Sequence, residues 1–211
     1  MQDIITTARL SRYQKEGESQ EDAIKRYIWN IQLSESFYPA LALFEIALRN
    51  RIDDVICQKI DPLWLDENWK KWPQKAVYER TKIQEAKQKL KKRQEKYTRG
   101  HLIAELTLGF WIGLLKKPFK PIIWQRSDVF ESVFPNFTDT ALDRITLINP
   151  HLETIRVLRN RISHHEPIHD WSGGLDTAYK AIETAIFWIS EDTHRNLQEI
   201  SRFPLIWAER D

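Results

Sequence analysis

Asn149-Pro150-His151-Leu152-Glu153-Thr154-Ile155-Arg156-Val157-Leu158-Arg159-Asn160-Arg161-Ile162-Ser163-His164-His165-Glu166-Pro167 is the stretch whose reading decides the fold. At about 100° per residue, Leu152, Ile155, Leu158 and Ile162 fall on one side of a helix. The punctuation agrees with a helix. Asn149 can cap it, Pro150 suits the first helical position, and Glu153 puts negative charge in the first turn. Pro167 disfavours helical geometry at Glu166 and predicts an end near His164 or His165.

Working outward, the same periodicity recurs. Ala23, Ile24, Tyr27, Ile28 and Ile31 predict a helix over 21–33. Ser34 or Ser36 could cap a second over about 37–60, whose Leu41, Phe44, Ala47, Leu48, Ile52, Val55 and Ile56 are apolar enough for a central helix. Residues 61–73 form a Trp- and Pro-rich connection, 74–97 a polar helix and 101–115 an apolar one. Residues 116–138 contain Pro118, Pro121 and Pro135 and read as irregular, with room for one short helix. Asp170 to Gly174 makes a turn, and Leu175 to Ile189 supplies a last long amphipathic helix. Neither an internal repeat nor an alternating strand pattern is present. The reading is all-α: one helical bundle domain over 1–211 with irregular Pro- and Trp-containing connections.

Composition excludes several classes. Apolar residues make up 42% and charged residues 29%, as in ordinary folded proteins rather than disordered ones. Only six glycines argue against a turn-rich β fold, and the nine tryptophans read as core and interface. A net charge of +2 does not by itself imply nucleic-acid binding, although a local patch could. Cys57 is the one cysteine, so an internal disulfide and a Cys-rich metal site are excluded, and its neighbours Val55 and Ile56 favour a buried, inert thiol. Met1 to Ile5 lacks the features of a signal peptide, and Leu106–Leu115 is about half of the roughly 20 residues a membrane span needs. A cytoplasmic protein without a membrane segment is the expectation.

The end of the 149–167 helix carries the chemistry. Arg can hold a phosphate through two parallel hydrogen bonds, and His can donate or accept a proton near neutral pH. Arg159 projects into the apolar stripe between Leu152 and Ile155, where it needs a partner or an open cleft. Asn160 and His164 share a neighbouring face, and the helix dipole favours the protonated imidazole. These groups suit metal-free RNA cleavage. His164 would act as general acid or base, Arg159 would stabilise the phosphorane-like transition state, and Asn160 would orient His164 or contact phosphate. Arg159 and His164 point about 140° apart on an ideal helix, so two copies facing each other across a dimer would make a better site than one. The plainer alternative is a pair of solvated, dipole-compatible residues at a helix end.

Other constellations read as structural. Glu45 and Arg49 are one turn apart and predict an ion pair within the helix, with Arg49 and Asn50 as possible support for the site. His164, His165 and His169 do not share a helix because Pro167 interrupts them, so no metal and no cofactor is expected. Lys87, Lys89, Lys91, Lys92, Arg93, Lys96 and Arg99, with Tyr97, form the strongest basic run; a solvated face is the default and a phosphate-contacting arm the functional option. Gly109 and Gly113 lack a phosphate-loop ending and predict close helix packing.

Five segments also carry a resemblance. Arg159-Asn160 through His164-His165-Glu166-Pro167 resembles the Arg-x(4–6)-His signature of the HEPN superfamily, all-α domains that are commonly RNases. Leu10-Ser11-Arg12-Tyr13, Arg26-Tyr27-Ile28-Trp29-Asn30, Glu45-Ile46-Ala47-Leu48-Arg49-Asn50-Arg51-Ile52 and Leu108-Gly109-Phe110-Trp111 are similar, in order, to segments of the Abi-like (abortive infection) family within it. The resemblance covers about residues 10–170. It implies a HEPN-like bundle acting as a homodimeric, metal-independent endoribonuclease in phage defence or as a toxin, with RNA as partner and an antitoxin or regulatory protein as a possible second one. Arg159 and His164 match the catalytic pair and Asn160 the polar position beside it; His165, Arg161, Arg49 and Asn50 are the candidate substrate-binding residues. The rival expectation is a non-catalytic module that binds RNA, nucleotide or protein.

Overall fold

Leu41, Phe44, Leu48, Ile52, Val55 and Ile56 are all buried along one helix, and the other elements are arranged around it. The computed structural model describes residues 5–94, 98–126, 128–140 and 143–209. In chain order the helices are α1 (Thr7–Leu10), α2 (Gln20–Ser36), α3 (Tyr38–Lys59), α4 (Val77–Lys92), α5 (Arg99–Glu105), α6 (Leu108–Gly113), α7 (Val129–Val133), α8 (Arg144–Ser163), α9 (Leu175–Ile189), α10 (Glu191–Ile200) and α11 (Phe203–Ala208). Among the described residues there is no strand, so the fold is an all-α bundle with irregular connections. The helix α3 packs against α2, α5, α6, α7, α9 and α10, which makes it central as its composition predicts. Each buried Leu, Ile or Phe on it contributes about 1.5–3 kcal/mol of hydrophobic stabilisation.

Several boundaries differ from the sequence expectation. Ser34 and Ser36 do not cap α3; both lie in α2, where their hydroxyls donate to the carbonyls of Asn30 and Leu33 at 2.7 Å. The expected helix over 101–115 is broken at Leu106 and Thr107, whose extended backbone separates α5 from α6. The Trp111 indole donates to the Leu106 carbonyl at 3.3 Å across that break. Gly109 and Gly113 are packing positions: a Cβ at either would press on Tyr78 or on the Glu79 carboxylate of α4. The polar helix ends at Lys92, and Lys96 and Tyr97 of the basic run lie outside the described residues, as do Met1–Ile4. After α9 the chain forms α10 and α11, which periodicity overlooked. Ser190 caps α10 through the Thr193 amide, and α11 lays Trp207 against Trp29 of α2, with ring centroids 6.2 Å apart.

The Trp- and Pro-rich connection is held by one buried carboxylate. Asp53 on α3 accepts from the Trp64 indole at 3.0 Å and from Arg99 Nε and Nη2 at 3.0 and 2.7 Å. Arg99 also donates to the Pro62 carbonyl at 3.0 Å. Trp64 then stacks on Trp72, with centroids 5.7 Å apart. Arg99 is therefore a structural member of the basic run, spent inside the fold.

Truncating one partner of such a set leaves an uncompensated buried charge. Asp53→Ala should lower unfolding free energy by about 3 kcal/mol, read as a shift of the urea midpoint at unchanged slope.

Candidate functional site at the end of α8

The helix that ends in the motif begins earlier than its sequence suggests. Asp143, not Asn149, is the N-cap of α8, and its carboxylate accepts from the Thr146 amide at 3.4 Å. Pro150 sits inside the helix, and Asn149 instead donates to the Leu115 carbonyl at 3.4 Å. The reason is the stripe itself. Ile145 and Ile148 are buried in register with Leu152, Ile155 and Leu158, so a longer helix buries more apolar surface at the cost of the one bond Pro150 cannot donate.

The other end is closed by a Schellman turn. The His165 amide donates to the Ile162 carbonyl at 3.0 Å and the Glu166 amide to the Arg161 carbonyl at 2.8 Å. His165 adopts the left-handed conformation, φ 55°, that such a turn demands. His164 and His165 are both exposed.

The chain beyond this turn is fastened by a residue to which the sequence reading assigned no role. Asn30 of α2 is 3% exposed. Its Oδ1 accepts from the amides of Ile168 and His169 at 2.6 and 3.2 Å, and its Nδ2 donates to the Glu166 carbonyl at 3.5 Å and to the Tyr13 hydroxyl at 3.3 Å. Tyr13 stacks on His169, with centroids 5.3 Å apart. Burial holds His169 below the ordinary imidazole value, so it is a neutral structural histidine. Tyr13 is in turn held from α2: Arg26 donates to its carbonyl and pairs through two 2.6 Å bonds with Glu18, whose carboxyl it draws down to about 2. An Asn among the apolar residues of a helix was the available signal for this clamp.

Arg159 opens onto a cleft of about 260 Å³ between the N-terminal half of α3 and the end of α8. Both helices lean on α6 and α9, and Tyr38, Glu45, Ile46, Arg49 and Ser163 line the gap with it. Arg159 Nη2 lies 3.5 Å from Glu45 Oε2, with the two side chains 32% and 23% exposed. The ion pair expected between Glu45 and Arg49 is thus replaced by one between helices. Arg49 keeps a buried Nε with no hydrogen-bond partner.

The remaining candidates are distributed as follows. Arg49 joins Arg159 in the cleft, and Asn50, next to it on α3, is exposed. Asn160 is half-buried on α8, its carbonyl accepting the His164 amide at 2.9 Å. Arg161 lies apart from the cleft: it pairs with Glu166 at 3.5 Å, packs 5.6 Å from the Trp171 ring and lines a separate depression with Glu153 and Val157. Among the described residues no three His, Cys, Asp or Glu side chains come together in a way that could hold a metal ion, and no helix is long and apolar enough to cross a membrane. Cys57 is partly buried, and burial raises its thiol pKa.

The structure is thus an all-α bundle in which Arg159 faces a cleft and His164, five residues later, is exposed on the turn that ends the same helix, outside that cleft's lining. The family described as Abi-like protein matches residues 2–170, and the chain belongs to that family. No curated protein and no solved structure matches it. The matched span runs from before α1 to the turn after the motif, so it contains the cleft, the Schellman turn and the Asn30 clamp.

Two stability measurements check this construction. Asn30→Ala should cost at least about 2 kcal/mol, since it leaves buried amides without acceptors, and should speed hydrogen exchange at Ile168 and His169. His165→Gly should stabilise by about 0.5 kcal/mol, the left-handed penalty being partly offset by glycine's chain entropy. A destabilised glycine variant in chemical denaturation would contradict the backbone role.

Proposed function

We propose that this Abi-like protein is a metal-independent endoribonuclease of the HEPN type that acts in phage defence or as a toxin. The observation that supports it best is the cleft at the end of α8, where the Arg159 guanidinium is partly hydrated and the exposed His164 follows on the same helix end. In this reading one histidine takes the proton of the ribose 2′-hydroxyl as the oxygen attacks phosphorus. As the P–O5′ bond breaks, the 5′-oxygen takes its proton from the imidazolium so formed, from a second His164 across a dimer or from water, and a 2′,3′-cyclic phosphate remains. Arg159 gathers the charge of the phosphorane-like transition state, and Asn160 orients the imidazole. Arg49, which lines the same cleft and has an unpaired Nε, would be a second cation for the RNA backbone. His165, Asn50 and Arg161 would contact RNA outside the cleft.

One copy offers its arginine and histidine on divergent faces, and a homodimer would bring two sets together. Tyr38, 72% exposed, and Ile46, 46% exposed, border the cleft and supply apolar surface for a second copy. An antitoxin or regulatory protein covering the same surface would silence the site. The alternative reading is a non-catalytic binding module, favoured by the fact that Arg159 already has Glu45 as an ion-pair partner.

The deciding experiment is cleavage of transfer, ribosomal and messenger RNA in EDTA, with product ends identified. Wild type should produce cyclic-phosphate ends, while His164→Ala and Arg159→Ala, folded by circular dichroism, should each lose about 10²-fold or more. Full activity in His164→Ala would sink the mechanism. Binding of RNA without cleavage by any form would favour the module.

A further inference from the structure

Charge in this chain is concentrated in one place. Between Lys70 and Lys92 there are nine basic and two acidic side chains, giving this stretch +7 while the whole chain carries +2. One of those two acids, Glu79, is buried against α6, and the other, Glu85, pairs with Lys82 at 2.7 Å. The outer face of α4 is therefore a cationic strip on a protein that is otherwise net acidic.

That strip borders a depression of about 500 Å³ lined by Trp69, Lys70, Val77, Arg80, Thr81 and Gln84, a size typical of sites that enclose a small organic group. Arg80 and Lys70 have no ion pair among the described residues, whereas Arg93 and Arg99 are consumed by Glu105 and Asp53. Trp69 is half-buried, its Nε1 has no hydrogen-bond partner, and the Lys87 ammonium lies 5.8 Å from its ring. Unpaired cations, an indole and the hydrogen-bonding ends of Thr81 and Gln84 are the complement of a nucleotide. Phosphates suit the cations, and an unstacked base suits an aromatic ring, an arrangement that favours single-stranded over duplex RNA. The helix α4 packs on α6, and α6 packs on α8, so the strip is one helix removed from the helix that carries the motif.

We propose that the depression between Trp69 and the outer face of α4 is a subsite for single-stranded RNA, holding phosphates on Lys70 and Arg80 and a base at Trp69. The inference rests on RNA being the ligand of this protein, and it assigns the α8 cleft to the scissile nucleotide and α4 to the flanking strand. An acidic protein surface is the competing occupant, but it would leave the indole unused.

The test is fluorescence anisotropy of the full chain with labelled 2′-O-methyl RNA, which a 2′-hydroxyl mechanism cannot cleave, as single strand and as duplex. Lys70→Glu/Arg80→Glu should weaken single-strand binding at least tenfold and flatten its salt dependence by about 0.7 per lost contact. Trp69→Ala, which removes the stacking ring, should weaken it severalfold. Arg195→Glu, an exposed charge reversal on α10, should stay within twofold of wild type. Equal binding by the double variant and Arg195→Glu, with matched thermal melts, would overturn the proposal, as would a preference for duplex. RNA held through α4 but never cleaved would keep the subsite and remove the nuclease. Cleavage with binding indifferent to α4 would do the reverse.

Discussion

A guanidinium placed within an apolar stripe sets the terms for this bundle. Arg159 lies in line with Leu152 and Ile155, so the face of α8 that must enter the core also carries a charge that must stay out of it. The chain resolves the conflict by position. The stripe is fully buried up to Leu158, and α8 leaves the core just where α3 offers Glu45. At 3.5 Å and partly hydrated, the pair contributes at most about 1 kcal/mol, so it places the guanidinium more than it stabilises the fold. Its modest strength suits the proposed role: a phosphate reaching Arg159 would compete with one loosely held carboxylate rather than with a sealed, buried bridge.

The same separation of structural from available charge holds elsewhere. Arg99 and Arg26 are tied down by bidentate carboxylates and organise the Trp-rich connection and the N-terminal turn. Among the described residues, Lys70 and Arg80, which line the depression beside α4, have no such partner. The small net charge of the chain therefore conceals a division in which carboxylates are spent on some cations and withheld from others.

Much of this was legible in the sequence. The period of Leu41, Phe44, Leu48 and Ile52 identified the central helix, and Pro167 marked the end of α8 within a residue. What failed were readings of local signals against tertiary burial. Asn149-Pro150 imitates a helix start, yet burial of Ile145 and Ile148 extends α8 back to Asp143. An i,i+4 pairing of Glu45 with Arg49 looked sufficient until another helix brought Arg159 to the same carboxylate. The break at Leu106 and Thr107 was invisible because Leu102, Ile103 and Leu106 before it and Leu108 and Phe110 after it are all apolar, and only three-dimensional packing separates the two helices. Pattern reports which face is buried; it does not report which distant residue arrives there.

The geometry at the motif follows from how its histidines are divided. The turn after α8 is closed by backbone bonds from His165 and Glu166, and Asn30 holds the next amides, so neither exposed imidazole is needed to secure it. His169 is half-buried and stacked on Tyr13, and its burial favours the neutral form, so it takes the structural burden. His165 gives its backbone to the left-handed position. His164 alone combines an exposed ring with a helical-side backbone and no structural duty, on a support fixed from both directions. A proton-transfer group needs this combination of a rigid mount and an uncommitted ring. By burying Asn30 to close the turn, the chain leaves the His164 ring exposed, as the proposed proton transfer requires.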